Sequence, residues 1–178
     1  PNNEFAGSVS LNNTGPNNVT ITDATAFAIG AWSLGNGSLT VTAGAAGGVA
    51  GITQTSAIAQ AAGAPGATFI GNNGSIILNN ASNDFVGPLS LSVTDTSPIE
   101  ITESTALELG TILAGGNLTV TAGGAVTQST GATVAGETTI NASGFDITLN
   151  QATNNLTGAV SLFGDDVAVT NAGSLLLG

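Results

Sequence analysis

Asp165-Asp166 is the only pair of adjacent acidic residues in this 178-residue sequence. Two carboxylates can flank a glycosidic bond as acid and nucleophile or base, and clustered oxygens can hold calcium. Neighbours on a strand point to opposite faces, so the pair acts together only in a turn, which Gly164 permits. The plainer reading is a solvated corner, with Asp165 and Asp166 as weak candidate ligands for Ca²⁺. Neither an Asp-x-Asp-x-Asp loop nor a Gly-Gly-x-Gly-x-Asp nonapeptide accompanies them. Trp32, the sole Trp, is the one large flat ring available for sugar stacking, beside Gly35-Asn36-Gly37. Trp32 and Asn36 are therefore candidate glycan contacts, set against core or corner filling. Glu100, Glu103 and Glu108 alternate with apolar residues and read as an outward charged face that resists sideways aggregation. Thr20/Thr22, Thr40/Thr42 and Thr119/Thr121 read as ordinary strand formers, or as outward rows able to order water, as in ice-binding solenoids. Eight Asn-x-Ser/Thr sequons, at Asn12, Asn18, Asn36, Asn73, Asn80, Asn117, Asn141 and Asn155, are acceptors only in a host that glycosylates them.

Composition removes most other chemistry. The chain has no Lys, Arg, His, Cys, Met or Tyr, and its eleven charges are all acidic. Without His, Lys, Cys or Tyr there is no usual general base near neutral pH, no thiolate and no Schiff base. A Ser–His–Asp triad is impossible within the chain. No cofactor is expected beyond the weak Ca²⁺ candidate, and no enzyme. Phosphate backbones and anionic lipids are held mainly by basic residues, so nucleic acid and anionic membranes are poor partners. At 42% apolar and 6% charged the chain can bury a core. No apolar run approaches the roughly 18 to 20 residues of a spanning helix. Any targeting signal has been removed or lies outside the segment.

The elements that carry these residues repeat. Asn3 to Leu11 (NEFAGSVSL) matches Asn83 to Leu91 (NDFVGPLSL) and Asn154 to Leu162 (NNLTGAVSL). Val19 to Gly30 then matches Ile99 to Gly110 and Val167 to Gly178. Leu-Thr-Val-Thr-Ala-Gly begins at Leu39 and again at Leu118, followed each time by an apolar residue, Thr and Gln. Phe5 to Phe85 is 80 positions and Phe85 to Leu156 is 71. Three copies result, about 2–82, 83–153 and a partial 154–178, in one repetitive segment. Copy one carries its extra length in Gly/Ala/Pro-rich stretches, where loops tolerate insertion.

Within each copy the apolar period is two: Val19 and Ile21, Leu39 and Val41, Ile99 and Ile101, Leu118 and Val120. Such alternation in β-branched runs predicts short half-buried strands. Gly and Asn punctuate them and Pro stands at their edges. Two all-β architectures suit this spacing, a β-sandwich and a parallel β-helix, or β-solenoid. Aromatics at 4% favour the solenoid. With about 20 residues per coil the chain makes roughly nine coils, a rod of about 40 Å at ~4.8 Å per layer. In that reading Leu118 and Val120 face the core, Thr119 and Thr121 face out, and Gly123-Gly124 turns a corner. The phrase recurs because the coil above must match the coil below.

The phrases N-[DEN]-[FL]-x-G-x-[VL]-S-[LV], L-T-V-T-A-G and [IV]-T-Q resemble the arrays of filamentous-haemagglutinin-like proteins, large adhesins that Gram-negative bacteria export by two-partner secretion. The resemblance covers the whole chain and carries over no site residue. It implies a right-handed parallel β-helix shaft, a secreted or cell-surface location, and a role in adhesion, aggregation or biofilm matrix. The expected function is therefore structural shaft or filament material, with a glycan- or surface-binding adhesin module as the alternative. The expected partners are neighbouring repeats or copies of the chain end to end, and host or surface glycans.

Overall fold

A computed structural model of the chain describes residues 3–44 and 51–178. The Ala/Gly-rich insertion of copy one lies partly outside the described residues, at 45–50. Among the described residues every strand pairing is parallel, which rules out the antiparallel sandwich. Successive strands fall on three ladders in turn. The first ladder stacks Val19–Thr22, Leu39–Thr42, Ala67–Asn72, Leu89–Val93, residues 112–114, Ala132–Val134 and Asn155–Leu156. The second stacks residues 27–29, Ile52–Gln54, Ile76–Leu78, Ile99–Glu103, Leu118–Ala122, Thr138–Asn141, Ala159–Phe163 and Leu176–Leu177. The third begins with Val9–Asn13, residues 32–34, Ile58–Gln60 and Asp84, and resumes with residues 107–109, Val126–Gln128, Ile147–Leu149 and Val167–Val169.

The solenoid makes about eight turns rather than nine. The difference lies in coil length: Ile99 pairs with Leu118, 19 positions on, whereas Leu39 pairs with Ala67, 28 positions on. Two strands, Phe27–Leu34 and Leu107–Ala114, run round a corner and so join the three ladders into two ten-stranded sheets. At each corner the alternation slips by one residue. Ile29 and Gly30 are both buried, as are Leu109 and Gly110, and a step of two on the neighbouring strand opposes a step of three. A Cβ on Gly30 would overlap the Ser10 hydroxyl, and one on Gly110 the Ser90 hydroxyl. These glycines are set by the clearance between layers.

The core is one continuous stack of inward side chains. Ile52, Ile76, Ile99 and Leu118 lie over one another on the second ladder, each at most 1% exposed. Burial of such a side chain contributes about 1.5–3 kcal/mol, and it is the alternation seen in the sequence that directs these residues inward. The expected pattern at residues 118–122 holds, with Leu118, Val120 and Ala122 buried and Thr119 and Thr121 exposed.

The copies do not stack on themselves. Val19 lies on the first ladder, its counterpart Ile99 on the second and Val167 on the third. Leu39 lies on the first ladder and Leu118 on the second, so the coil above Leu118 is Thr138, not another copy of the same phrase. Ten strand segments separate Val9 from Leu89, at three per turn. Each copy therefore advances three turns and one face.

Candidate functional site

The most organised polar structure lies where copies join. Gln54 ends the strand Ile52–Gln54, and Asn83 opens copy two one coil later. Their amides bond reciprocally: Gln54 Nε2 donates to Asn83 Oδ1 (2.8 Å) and Asn83 Nδ2 donates to Gln54 Oε1 (2.9 Å). Asn83 Oδ1 also accepts the Ile58 N–H (3.0 Å). Asn83 Nδ2 is shared with the carbonyls of Leu78 (3.1 Å) and Thr102 (3.0 Å). Gln128 and Asn154 repeat this latch, at 2.9 and 2.8 Å, with Ala132 N–H and the Leu149 and Thr170 carbonyls in the same places. Asn83 and Asn154 are at most 1% exposed. Buried amides are kept only where their bonds are made, and here each amide satisfies backbone groups on three successive coils. The recurrent phrases Ile/Val-Thr-Gln and Asn-x-Phe/Leu are the two halves of one contact.

A second set of residues completes the joint. Glu103 accepts the Phe85 N–H (2.9 Å), the Thr105 N–H (3.1 Å) and the Thr105 hydroxyl (3.1 Å). Asp23 takes the same bonds from Phe5 and Thr25, and Asn171 accepts the Leu156 N–H (2.8 Å). Glu103 is 2% exposed, so the outward reading of it fails, while Glu100 and Glu108 are half-buried. Alternation itself sets Glu103 inward with Ile99 and Ile101, and at the end of the strand its carboxylate caps the Phe85 N–H at the start of its own copy. Burial raises the Glu103 carboxyl above its ordinary range, against the three bonds that lower it, and the Asp84 charge adds to the rise. At Asp23 burial also pushes upward, but the bonds from Phe5 and Thr25 together outweigh it, and the carboxyl lies below its ordinary range. The latch has no open face and no nucleophile; it holds backbone.

The residues picked out from the sequence fall elsewhere. Trp32 is 3% exposed, donates its indole N–H to the Val9 carbonyl (2.6 Å) and packs against Phe27 at 6.0 Å between ring centroids. Asn36 is exposed on the corner between Gly35 and Gly37. The two are not brought together on one surface. Asp165 and Asp166 are both exposed in a turn, where the Asp166 N–H donates to Asp146 Oδ1 (3.3 Å). Among the described residues no three acidic side chains form a group that could hold a metal ion. Thr20 and Thr22 stack on Thr40 and Thr42, and Thr119 stacks on Thr139 on a different ladder. Among the described residues no helix is long and apolar enough to cross a membrane.

Residues 16–92 and 96–163 match a family described as repeats of unknown function (DUF5649). The chain belongs to that family. The two matched stretches begin 80 positions apart, the same spacing as from Phe5 to Phe85 and from Asp23 to Glu103. Neither a curated protein nor a solved structure matches the chain. In these DUF5649 repeats the shared phrases are thus accounted for by a latch and by layer clearance. Sequence reasoning missed the latch, although one signal was present: a Gln and an Asn recurring at fixed places among otherwise apolar and hydroxyl residues.

Proposed function

We propose that the chain is shaft or filament material of an extracellular bacterial surface protein, supporting adhesion, aggregation or biofilm matrix and catalysing no reaction. One observation carries this reading: a core that continues without interruption through every described coil, with amide latches clamping each copy to the next. Such a stack gives length and stiffness, since each layer contacts only its neighbours and is held by parallel ladder bonds. The advance of one face per copy spreads equivalent surfaces around the shaft instead of gathering them on one side. The absence of Lys and Arg supports an exposed location, because it leaves trypsin-like proteases no cleavage site. Resemblance to filamentous-haemagglutinin-like shafts supports secretion from a Gram-negative cell. The all-acidic charge suits neutral glycans better than nucleic acid or anionic lipid.

Antibodies raised against the folded segment test the location on intact cells. Labelling of the surface, lost after proteinase K treatment, is expected; signal only after permeabilisation overturns the extracellular reading. Negative-stain microscopy of the purified chain should show rods, whereas compact round particles would overturn the shaft.

A further inference from the structure

Equivalent surfaces on the flanks of copies one and two differ in relief. The strand Phe27–Leu34 and its counterpart Leu107–Ala114 both turn a corner. Past it Ala31 and Ser33 face outward on copy one, and Thr111 and Leu113 on copy two. The next layer carries the same contrast, since Ser33 pairs with Ala59 and Leu113 with Thr133. Small side chains in successive layers leave copy one hollowed. The hollow measures about 530 Å³ and is lined by Ser10, Asn12, Ala31, Ser33, Ala57 and Ala59. On copy two Leu113 projects instead, 40% exposed, with Ser92 on the layer below and Thr133 on the layer above. Coil stacking requires no leucine there, because Ser33 serves at the same place on copy one. Both surfaces lie on the side of the stack, so coils added above or below would cover neither.

We propose that the hollow receives Leu113 of a second copy of this chain. Its floor of Ala31, Ala57 and Ala59 offers the leucine apolar surface, and docking takes an exposed aliphatic side chain out of water. Charge selects the same two surfaces. Every charged side chain is a carboxylate, so two copies repel wherever charged surfaces meet. The residues lining the hollow are uncharged, as are Ser92, Thr111 and Thr133 around Leu113, while Asp84 stands one layer beyond Ala59 and bounds the hollow on that side. The hollow lies on the third ladder and Leu113 on the first, because each copy advances one face. A docked pair therefore keeps one hollow and one leucine free, and the contact propagates sideways instead of closing. Growth of the shaft is end to end, so this sideways contact goes beyond the shaft reading.

Sedimentation velocity of the 178-residue protein over a concentration series tests the assignment. Self-association is expected, and added salt should strengthen it by screening the carboxylates. Leu113→Asp removes the projecting side chain, and Ser33→Leu fills the hollow with the residue found on copy two. Each should weaken association at least tenfold. Both positions are exposed, so the fold persists, which circular dichroism checks. The Leu113→Asp protein keeps its hollow and the Ser33→Leu protein keeps Leu113, so an equimolar mixture should form a one-to-one complex that neither forms alone. Protein that stays monomeric at every concentration, association that both variants leave unchanged, or a mixture that does not pair overturns the assignment. Rods under the microscope without this pairing would reject the hollow and leave the shaft; pairing without rods would reject the shaft alone.

Discussion

Replacing Asn83 by Ala removes the centre of the latch. The change strands the Ile58 N–H and takes the Asn83 amide from the Leu78 carbonyl, both in fully buried bonds, and it removes one partner from the Thr102 carbonyl and from each end of the Gln54 amide, which keeps Ser56 and Asn80. A buried group left without its partner costs about 1–3 kcal/mol. Two such groups, eased by whatever water enters the space, give an expected loss of about 3–5 kcal/mol. Urea unfolding measures it, with Trp32 as the built-in probe: it is the only Trp, it is buried, and Ile58 lies on the adjacent layer of the same ladder. The midpoint should fall while the slope is kept. Asn36→Ala, at an exposed corner, serves as the control and should stay within about 0.5 kcal/mol of the parent. Asn83→Asp keeps the shape but turns an acceptor toward the Leu78 and Thr102 carbonyls. It should lose at least as much at neutral pH and regain part of that as acid protonates the new carboxyl. A loss below about 1 kcal/mol for Asn83→Ala, the size of one ordinary solvated hydrogen bond, would refute the latch.

Further expectations follow from single side chains. Thr138 Oγ1 is buried without a hydrogen-bond partner, between Leu118 and Val160 on the second ladder, so Thr138→Val should raise stability by about 1 kcal/mol in the same urea assay. Gly123→Ala sets a Cβ against the Ser104 carbonyl of the neighbouring coil, which is backbone and cannot rotate away. It should cost about 1–3 kcal/mol by calorimetry, as overpacking does. Asp23 and Glu103 should give opposite pH slopes. Asp23, lowered in the fold, contributes stability above the ordinary Asp range that is lost as pH falls through its folded value, so the gap between parent and Asp23→Asn closes in acid. Glu103, raised in the fold, favours folding below the ordinary Glu range, and that contribution is lost as pH rises through its folded value. The stability of Glu103→Gln relative to the parent should therefore increase from acid to neutral pH. Melting curves from pH 3 to 8 check both, and parallel profiles for all three proteins would contradict the assignments.

The sequence by itself determined the strands, the repeat and the class of fold. Alternation at Leu118–Ala122 and at its counterparts states which side chains leave water, and that holds whatever the neighbours are. Short strands, small residues and copies spaced 80 and 71 positions apart favoured a stack of parallel coils over a sandwich. Composition removed most enzyme chemistry without reference to any contact. What lies over what was decided only in three dimensions. Ten segments do not divide by three faces, so like phrases sit on different ladders, and the partner of Leu118 is Thr138. The capping partner of Glu103 and the Gln–Asn latch depend on the same phase, because the residues that meet are 18 to 29 apart along the chain, whereas the inward side of Glu103 follows from its alternation with Ile99 and Ile101. Alternation describes a strand's two sides, while the angle turned at each corner selects its neighbours. That angle comes from backbone packing against the layer below, which a pattern of apolar and polar residues does not contain.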